Sequence, residues 1–139
     1  MILEEAQMLC SVHRRYGSVD DRLYKATHAN HPCTLWAGET TSNYRWGYSL
    51  LVALCDEYTH RYGKVHATAR LLDILAEPPA GLPTGPLTPF AQAMPDDLRA
   101  SDAVDAYRAY YVREKAGFAR WTARPVPHWY DEARSEQAA

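Results

Sequence analysis

The apolar residues at the start of the chain follow the spacing of an α-helix rather than the alternation of a strand. The positions concerned are Ile2, Leu3, Ala6, Leu9, Cys10 and Val12. A basic run at residues 13–15 suits the negative end of a helix dipole, and Gly17 can stop the helix. The pattern therefore predicts a first helix over residues 2–16.

The longest amphipathic pattern lies in the middle of the chain. Its apolar stripe is formed by Tyr44, Tyr48, Leu51, Val52, Cys55, Tyr58 and Tyr62. Thr41 or Ser42 can cap its start, because a hydroxyl there accepts a hydrogen bond from a free backbone N–H. Gly63 follows the last apolar position, so the pattern predicts a long central helix that ends there. The stretch HANHPCTLW, residues 28–36, leads into this helix, and Pro32 sets the turn.

Two shorter helical patterns cover residues 66–76 and 103–117, and the segment between them is rich in proline. Residues 77–97 hold six of the nine prolines and predict a long ordered strap. The polar tail over residues 131–139 predicts a frayed end. The strand signal is weak throughout. We therefore predict a single compact all-α domain over residues 1–139, with about four helices and a long proline-rich loop.

Composition and charge narrow the possible classes of function. The formal net charge is −2, so a polyanion would have to be bound by a local basic face rather than by the whole molecule. Three widely spaced cysteines without a CxxC pair indicate a reduced, intracellular protein. No apolar run is long enough to span a membrane. The chain also begins inside its first helical pattern without a cap, which leads us to expect either that an upstream segment is missing or that translation starts inside an ancestral helix.

Metal and cofactor chemistry finds little support in the sequence. His28, His31 and Cys33 lie close together, but HxxHxC is not a ligand spacing that zinc sites use. The cysteines lie on apolar faces or beside tryptophan, where a thiol acts as a small hydrophobe. There is neither a nucleophile elbow nor a phosphate-cradling glycine loop. We expect no metal and no cofactor.

Cations gather at the ends or on the faces of three predicted helices, with aromatic residues between them. The cations are Arg14, Arg15, Arg61, Lys64, His66, Arg108, Arg113 and Lys115. Charged donors make strong hydrogen bonds to phosphate, and aromatic rings can stack on bases. His31, Trp36, Asn43 and Trp46 are interpreted as a polar and aromatic lip of such a pocket. The alternative is a solvated surface whose cations are balanced by neighbouring acids.

The first turn of the first helix carries two adjacent carboxylates, Glu4 and Glu5. One of the two must face the core side, where burial can tune its pKa for acid or base catalysis. The alternative role is structural, since carboxylates at a helix start are favoured by the dipole.

Several motifs together resemble a family of small tailed-phage proteins that carries no known activity. The stretches that carry the resemblance are KATHANHPCTLWA, SNYRW, LCDEYTHRYGKVH, GPLTPFAQAMP, DAVDAYRAYY and RPVPHWY. The resemblance covers nearly the whole chain. It implies a protein of the cytoplasm of an infected bacterial host, with a further stretch of residues before the present start.

The order of elements is also similar to that of the phage pyrimidine-dimer DNA glycosylase, or endonuclease V, a single all-α domain. In that family a first-helix glutamate is catalytic and a basic cluster follows it, and here Glu4 and residues 13–15 stand in those places. The resemblance also covers the Arg61–Lys64 step and the Pro127–Tyr130 step. It implies a nucleophilic α-amine that attacks the sugar of a flipped nucleotide, with Glu4 as acid or base. The start of this chain, Met1 followed by Ile2, departs from the family at that nucleophile.

Three functional hypotheses follow. The first is a phage nucleic-acid-binding protein that resembles the glycosylase and acts in DNA repair, with Glu4 as the catalytic group. Its binding residues would be Arg14, Arg15, His31, Trp36, Asn43, Trp46, Arg61, Lys64, His66 and Lys115. The second is a counter-defence protein that sequesters a phosphate-bearing signalling nucleotide, and the third is a small helical scaffold. The expected partner is DNA or such a nucleotide, with no membrane association.

Overall fold

The structure is a computed structural model that describes residues 1–139. It is all-α, as predicted, and contains no β-strand. The chain forms two compact units, residues 1–91 and residues 92–139, called unit 1 and unit 2 below. No helix is both long enough and apolar enough to cross a membrane.

Unit 1 is built around two helices that the sequence pattern predicts well. Its helices are α1 (Ile2–Arg15), α2 (Pro32–Ala37), α3 (Thr41–Tyr62) and α4 (Leu72–Leu75), and a 3₁₀ turn (Ala67–Leu71) leads into α4. Helix α1 packs against both α2 and α3. The predicted helix over 66–76 is therefore a 3₁₀ turn followed by a single α-helical turn.

The entrance to α3 differs from the sequence-based expectation. Residues 32–37 form a separate short helix, α2, which ends at Gly38. Helix α3 then begins afresh, and its cap is the Thr40 hydroxyl, which accepts a hydrogen bond from the N–H of Asn43 at 3.1 Å. Gly63 ends the helix with a φ of +66°, a left-handed conformation that glycine adopts without strain.

The core of unit 1 lies where α1, α3 and α4 meet. Leu9, Leu51 and Leu75 are completely buried there. Two tyrosines one turn apart on α3 connect this helix to α4. The hydroxyls of Tyr44 and Tyr48 donate hydrogen bonds to the carbonyls of Leu75 and Leu72, each at 2.8 Å. These bonds satisfy the carbonyls of the first and last residues of α4 while the rings fill the core.

The proline-rich segment is an extended strap along the start of α3. The N–H of Thr41 donates to the carbonyl of Pro83 at 2.9 Å, and the Ser42 hydroxyl donates to that of Gly85 at 2.6 Å. A Cβ at Gly85 would lie 2.9 Å from Cγ2 of Thr40, so only glycine allows this close approach. The part of this segment up to residue 91 belongs to unit 1.

Unit 2 contains a helix that widens into a π turn, followed by the C-terminal helix. Its elements are a 3₁₀ turn (Asp96–Leu98), α5 (Ala103–Tyr110), the π turn (Tyr111–Lys115) and α6 (His128–Ala138). Val112, Ala119 and Tyr130 form a buried core cluster, with Trp121 and Trp129 packed around them. The tail expected to be frayed over 131–139 is instead mostly helical, because Trp129 and Tyr130 anchor its first turn in this core.

Candidate functional site

The residues interpreted as the lip of a pocket instead hold the strap in place. The side chain of Asn43 is completely buried, donates to the Trp36 carbonyl at 2.9 Å and to Thr88 Oγ1 at 2.8 Å, and accepts from the N–H of Thr88 at 2.9 Å. Trp36 is only 7% exposed, and its indole N–H donates to the Thr88 carbonyl at 3.3 Å. The polar atoms of both side chains are therefore used in hydrogen bonds within the chain.

The other two members of the proposed lip also have structural positions. His31 caps α2, where its Nδ1 accepts a hydrogen bond from the N–H of Cys33 at 3.1 Å. Trp46 packs on Trp36 and on Phe90, with ring centroids 5.7 and 4.7 Å apart, and keeps 42% of its surface exposed. The stacking surface expected at this position is therefore one partly exposed ring.

The basic run at the end of α1 organises the loop that follows it. The guanidinium of Arg14 donates to the backbone carbonyls of four residues, Ser18, Asp20, Leu23 and Tyr24, at 2.9–3.3 Å. Arg15 donates to the carbonyl of Ala29 at 3.1 Å. A guanidinium has five N–H donors in a fixed fork, and four carbonyls leave Arg14 little capacity for a phosphate. Its role is to fold the loop, which the basic composition did not reveal.

Glu5, rather than Glu4, is the carboxyl that faces the core. Glu4 is exposed, and its hydrogen bond to the amino terminus of Met1 at 2.6 Å lowers its pKa. The carboxyl of Glu5 is largely buried and takes part in no hydrogen bond or ion pair, and this desolvation raises its pKa to about 7. The catalytic role predicted for Glu4 therefore lacks the buried environment on which the prediction depended.

The position of Glu5 is fixed by a close approach of α1 to α3. A Cβ at Gly47 would lie 3.2 Å from Oε1 of Glu5 and 3.3 Å from Cδ2 of Leu9. The missing side chain at Gly47 thus makes room for a carboxyl and a leucine that lie one helical turn apart. A carboxyl with a pKa near neutrality can act as acid or base, provided that a substrate reaches it.

A buried hydrogen-bonded chain at the end of α1 was not foreseen from the sequence. His13 Nε2 lies 2.8 Å from the Tyr44 hydroxyl, and His13 Nδ1 lies 3.2 Å from the Ser18 hydroxyl. Since Tyr44 donates its proton to the Leu75 carbonyl, Nε2 carries the hydrogen and Nδ1 accepts from Ser18. Burial lowers the pKa of His13 and raises that of Tyr44. The clue in the sequence was a histidine on the apolar face of a helix.

Three of the predicted binding residues, Arg61, Lys64 and His66, lie within six residues of one another where α3 ends, next to Tyr58 and Tyr62. Tyr62 is 54% exposed, and its ring centroid lies 5.0 Å from that of Tyr58. The rings of His66 and Tyr58 meet edge-on with their centroids 4.9 Å apart. We call this surface, formed by Tyr58, Arg61, Tyr62, Lys64 and His66, the α3-end surface.

The two cations of the α3-end surface differ in their surroundings. Arg61 forms an ion pair with Glu57, one turn earlier, at 2.8 Å. Lys64 is exposed and has no carboxylate within ion-pair distance. His66 caps the following 3₁₀ turn by accepting from the N–H of Thr68 at 3.1 Å. Lys64 is thus the cation of this surface that is available to an anion.

The predicted residues of unit 1 do not converge on one cavity. Trp46 and Arg61 are fifteen residues apart on one straight helix, which separates them by about 22 Å along its axis. Lys115 belongs to unit 2, where its ammonium lies over the rings of Tyr110 and Phe118 at 5.0 and 5.5 Å. The predicted pocket that joins the start of α3 to its end is not formed within unit 1.

Metal binding and cysteine chemistry find no geometric support. No group of three or more His, Cys, Asp or Glu side chains is arranged to hold a metal ion. Burial raises the pKa of both Cys10 and Cys55, which keeps these thiols protonated and unreactive.

The chain matches no protein-family model, no curated protein and no solved structure. Its function is therefore inferred from its own residues.

Proposed function

We propose that the chain is a nucleic-acid-binding protein that takes up unpaired bases on the α3-end surface. The observation that carries the proposal is the exposed ring of Tyr62, held against Tyr58 beside the unpaired charge of Lys64. A ring that is already packed on one side loses little freedom when a base stacks on the other. Base stacking on an aromatic side chain contributes roughly 1–3 kcal/mol and tolerates any base.

Single strands fit this surface better than duplexes do. In a duplex the faces of the bases are covered by their neighbours, so an aromatic ring can stack only where bases are unpaired. The formal net charge of −2 also provides no long-range attraction to the dense charge of a duplex. A short single strand needs only a few local contacts.

The charges of the α3-end surface set an expectation for the salt dependence. Lys64 is the cation available to a phosphate, and Arg61 can add a second contact only by giving up its ion pair with Glu57. Each phosphate contact on a single strand contributes about −0.7 to the slope of log affinity against log salt. We expect a slope of about −1.4 or shallower, much less than that of a protein with an extensive basic face.

We propose that the chain binds a single strand without cleaving it. The glycosylase resemblance needs a carboxyl close to the bound sugar, and Glu4 is exposed and paired with the amino terminus. Glu5 lies beside Gly47, and Gly47 and Arg61 are fourteen residues apart on α3. That separation is about 21 Å along the helix. A carboxyl at that distance from the α3-end surface cannot act on a nucleotide bound there.

The test is fluorescence anisotropy of a labelled oligothymidine with the purified chain. Tyr62→Ala should weaken binding by roughly fivefold or more, since it removes the stacking ring. Tyr62→Phe keeps the ring and should bind like the parent chain. The ring is exposed, so neither substitution should disturb folding.

Charge variants near the two ends of α3 provide the matched control. Lys64→Gln should weaken binding and make the salt slope shallower by about 0.7. Arg45→Gln removes one charge from the opposite half of α3 and should leave binding unchanged. Equal effects of these two variants, or unchanged affinity of Tyr62→Ala, would refute the proposal. A mononucleotide that competes as well as the oligonucleotide would instead favour sequestration of a single nucleotide.

A further inference from the structure

Unit 2 contains a groove of about 470 Å³ between α5 with its π turn and α6. This volume lies in the range of sites that hold small organic molecules. Leu98, Val112, Trp129 and Ala133 give the groove apolar walls, and Arg108 and Glu136 also line it. The groove is made entirely of unit 2 residues and shares none with the α3-end surface.

The π turn shapes one wall of this groove. A π turn inserts an extra residue into a helix and is frequent at functional sites. Here it covers Tyr111–Lys115, and Val112 and Arg113 within it line the groove. The same turn places the ring of Tyr111 against Trp121 and Trp129, so the distortion is supported by the aromatic core.

The cations of the groove are not equivalent. The guanidinium of Arg113 is neutralised by Asp97 at 2.5 Å and by Glu114 at 2.8 Å. The guanidinium of Arg108 lies over the ring of Trp129 at 5.5 Å and has no carboxylate within ion-pair distance. Arg108 is therefore a positive charge without a counter-ion, fixed on an aromatic surface at the edge of an apolar groove.

We propose that this groove binds an amphiphilic anion, a small molecule with an apolar body and one carboxylate or sulfonate group. The apolar body would displace water from the walls formed by Leu98, Val112 and Ala133. The anionic group would pair with Arg108, whose planar guanidinium can offer two parallel N–H donors to two oxygens. Glu136 opposes this ligand, since its carboxylate lies in the wall without an ion pair and repels an anion.

The experiment uses anilinonaphthalene sulfonate, a probe of this class whose fluorescence rises in an apolar site. We expect saturable binding to the whole chain, with a shift of the Trp129 indole N–H resonance that Trp129→Phe identifies. Arg108→Gln should weaken the affinity by about tenfold, because it removes a charge-assisted hydrogen bond. Glu136→Gln should strengthen it, because it removes the repulsion. Arg134→Gln, an equal loss of charge on the exposed side of α6, is the control.

The affinities of Arg108→Gln and Glu136→Gln for the probe are expected to change in opposite directions. Circular dichroism of each variant checks that the helices are retained. A fluorescence change that Arg108→Gln leaves unaltered would show that the probe binds elsewhere and would overturn the proposal. Weaker binding by Glu136→Gln would show that the groove prefers cations, and the absence of saturable binding would also overturn it.

Discussion

Replacing Glu5 by glutamine should stabilise the folded chain above pH 7 and have little effect near pH 4. The carboxyl lies against Gly47 without a hydrogen-bond partner, and burial raises its pKa from 4.5 to about 7. The folded chain therefore holds this proton more tightly than the unfolded chain does. The free energy of unfolding therefore falls as the pH rises from 4.5 to about 7. In this range folding requires Glu5 either to bind a proton or to be buried with its charge.

The size of the effect follows from the same two values. The difference between 4.5 and about 7 corresponds to about 3 kcal/mol in the free energy of unfolding. This figure is an upper bound, because Glu5 retains some contact with solvent and water screens part of the penalty. Glutamine has nearly the same shape and no charge, so Glu5→Gln should recover most of the loss above pH 7.

Urea unfolding, followed by circular dichroism at several pH values, measures this difference directly. The control is Glu4→Gln, one position earlier, where the pKa is lowered by the hydrogen bond to the amino terminus. That variant should not gain stability as the pH rises. The reasoning is refuted if Glu5→Gln is no more stable than the parent chain near pH 8, or if its advantage does not grow between pH 4.5 and 7.

Three further predictions concern groups whose partners lie within the chain. The pKa of His13 is lowered by burial, so its imidazole should titrate below the ordinary value of 6.5 in a magnetic-resonance experiment. The stability that depends on neutral His13 should fall as the pH drops below 6.5, since the unfolded chain binds the proton first. Asn43→Ala leaves buried groups of Trp36 and Thr88 without partners and should cost about 2–4 kcal/mol in urea unfolding, whereas exposed Ser49→Ala should cost little. Arg14→Gln should lower the melting temperature without changing oligonucleotide affinity, and an equal loss of affinity would restore Arg14 as a phosphate ligand.

The helices of unit 1 could be predicted because their signals are local. The apolar stripe and Gly63 determine α3, and periodicity determines α1. The break between α2 and α3 was missed because it depends on the strap, whose carbonyls bond to the first residues of α3. A partner more than forty residues away leaves no trace in the local pattern.

The orientation of α1 could have been predicted more closely than it was. Ile2, Glu5, Leu9 and Val12 are spaced by three or four residues and therefore lie on one face of a helix. Glu4 lies off that face. The apolar face of α1 thus indicates that Glu5 is the buried acid. Only the contact with Gly47 shows how closely the Glu5 carboxyl approaches α3.

The candidate site was harder to predict, because residue type does not show whether a polar group is already in use. Arg14 and Asn43 have the chemistry of ligand-binding residues, yet backbone groups of the loops nearby take up their hydrogen bonds. Irregular loops have many backbone groups without partners in a helix or sheet, and the nearest long polar side chains satisfy them. The side chains that remain available are those on helix ends and faces that no loop covers, such as Lys64 and Arg108. Availability to a ligand, rather than residue type, is thus what selects the α3-end surface and the groove of unit 2.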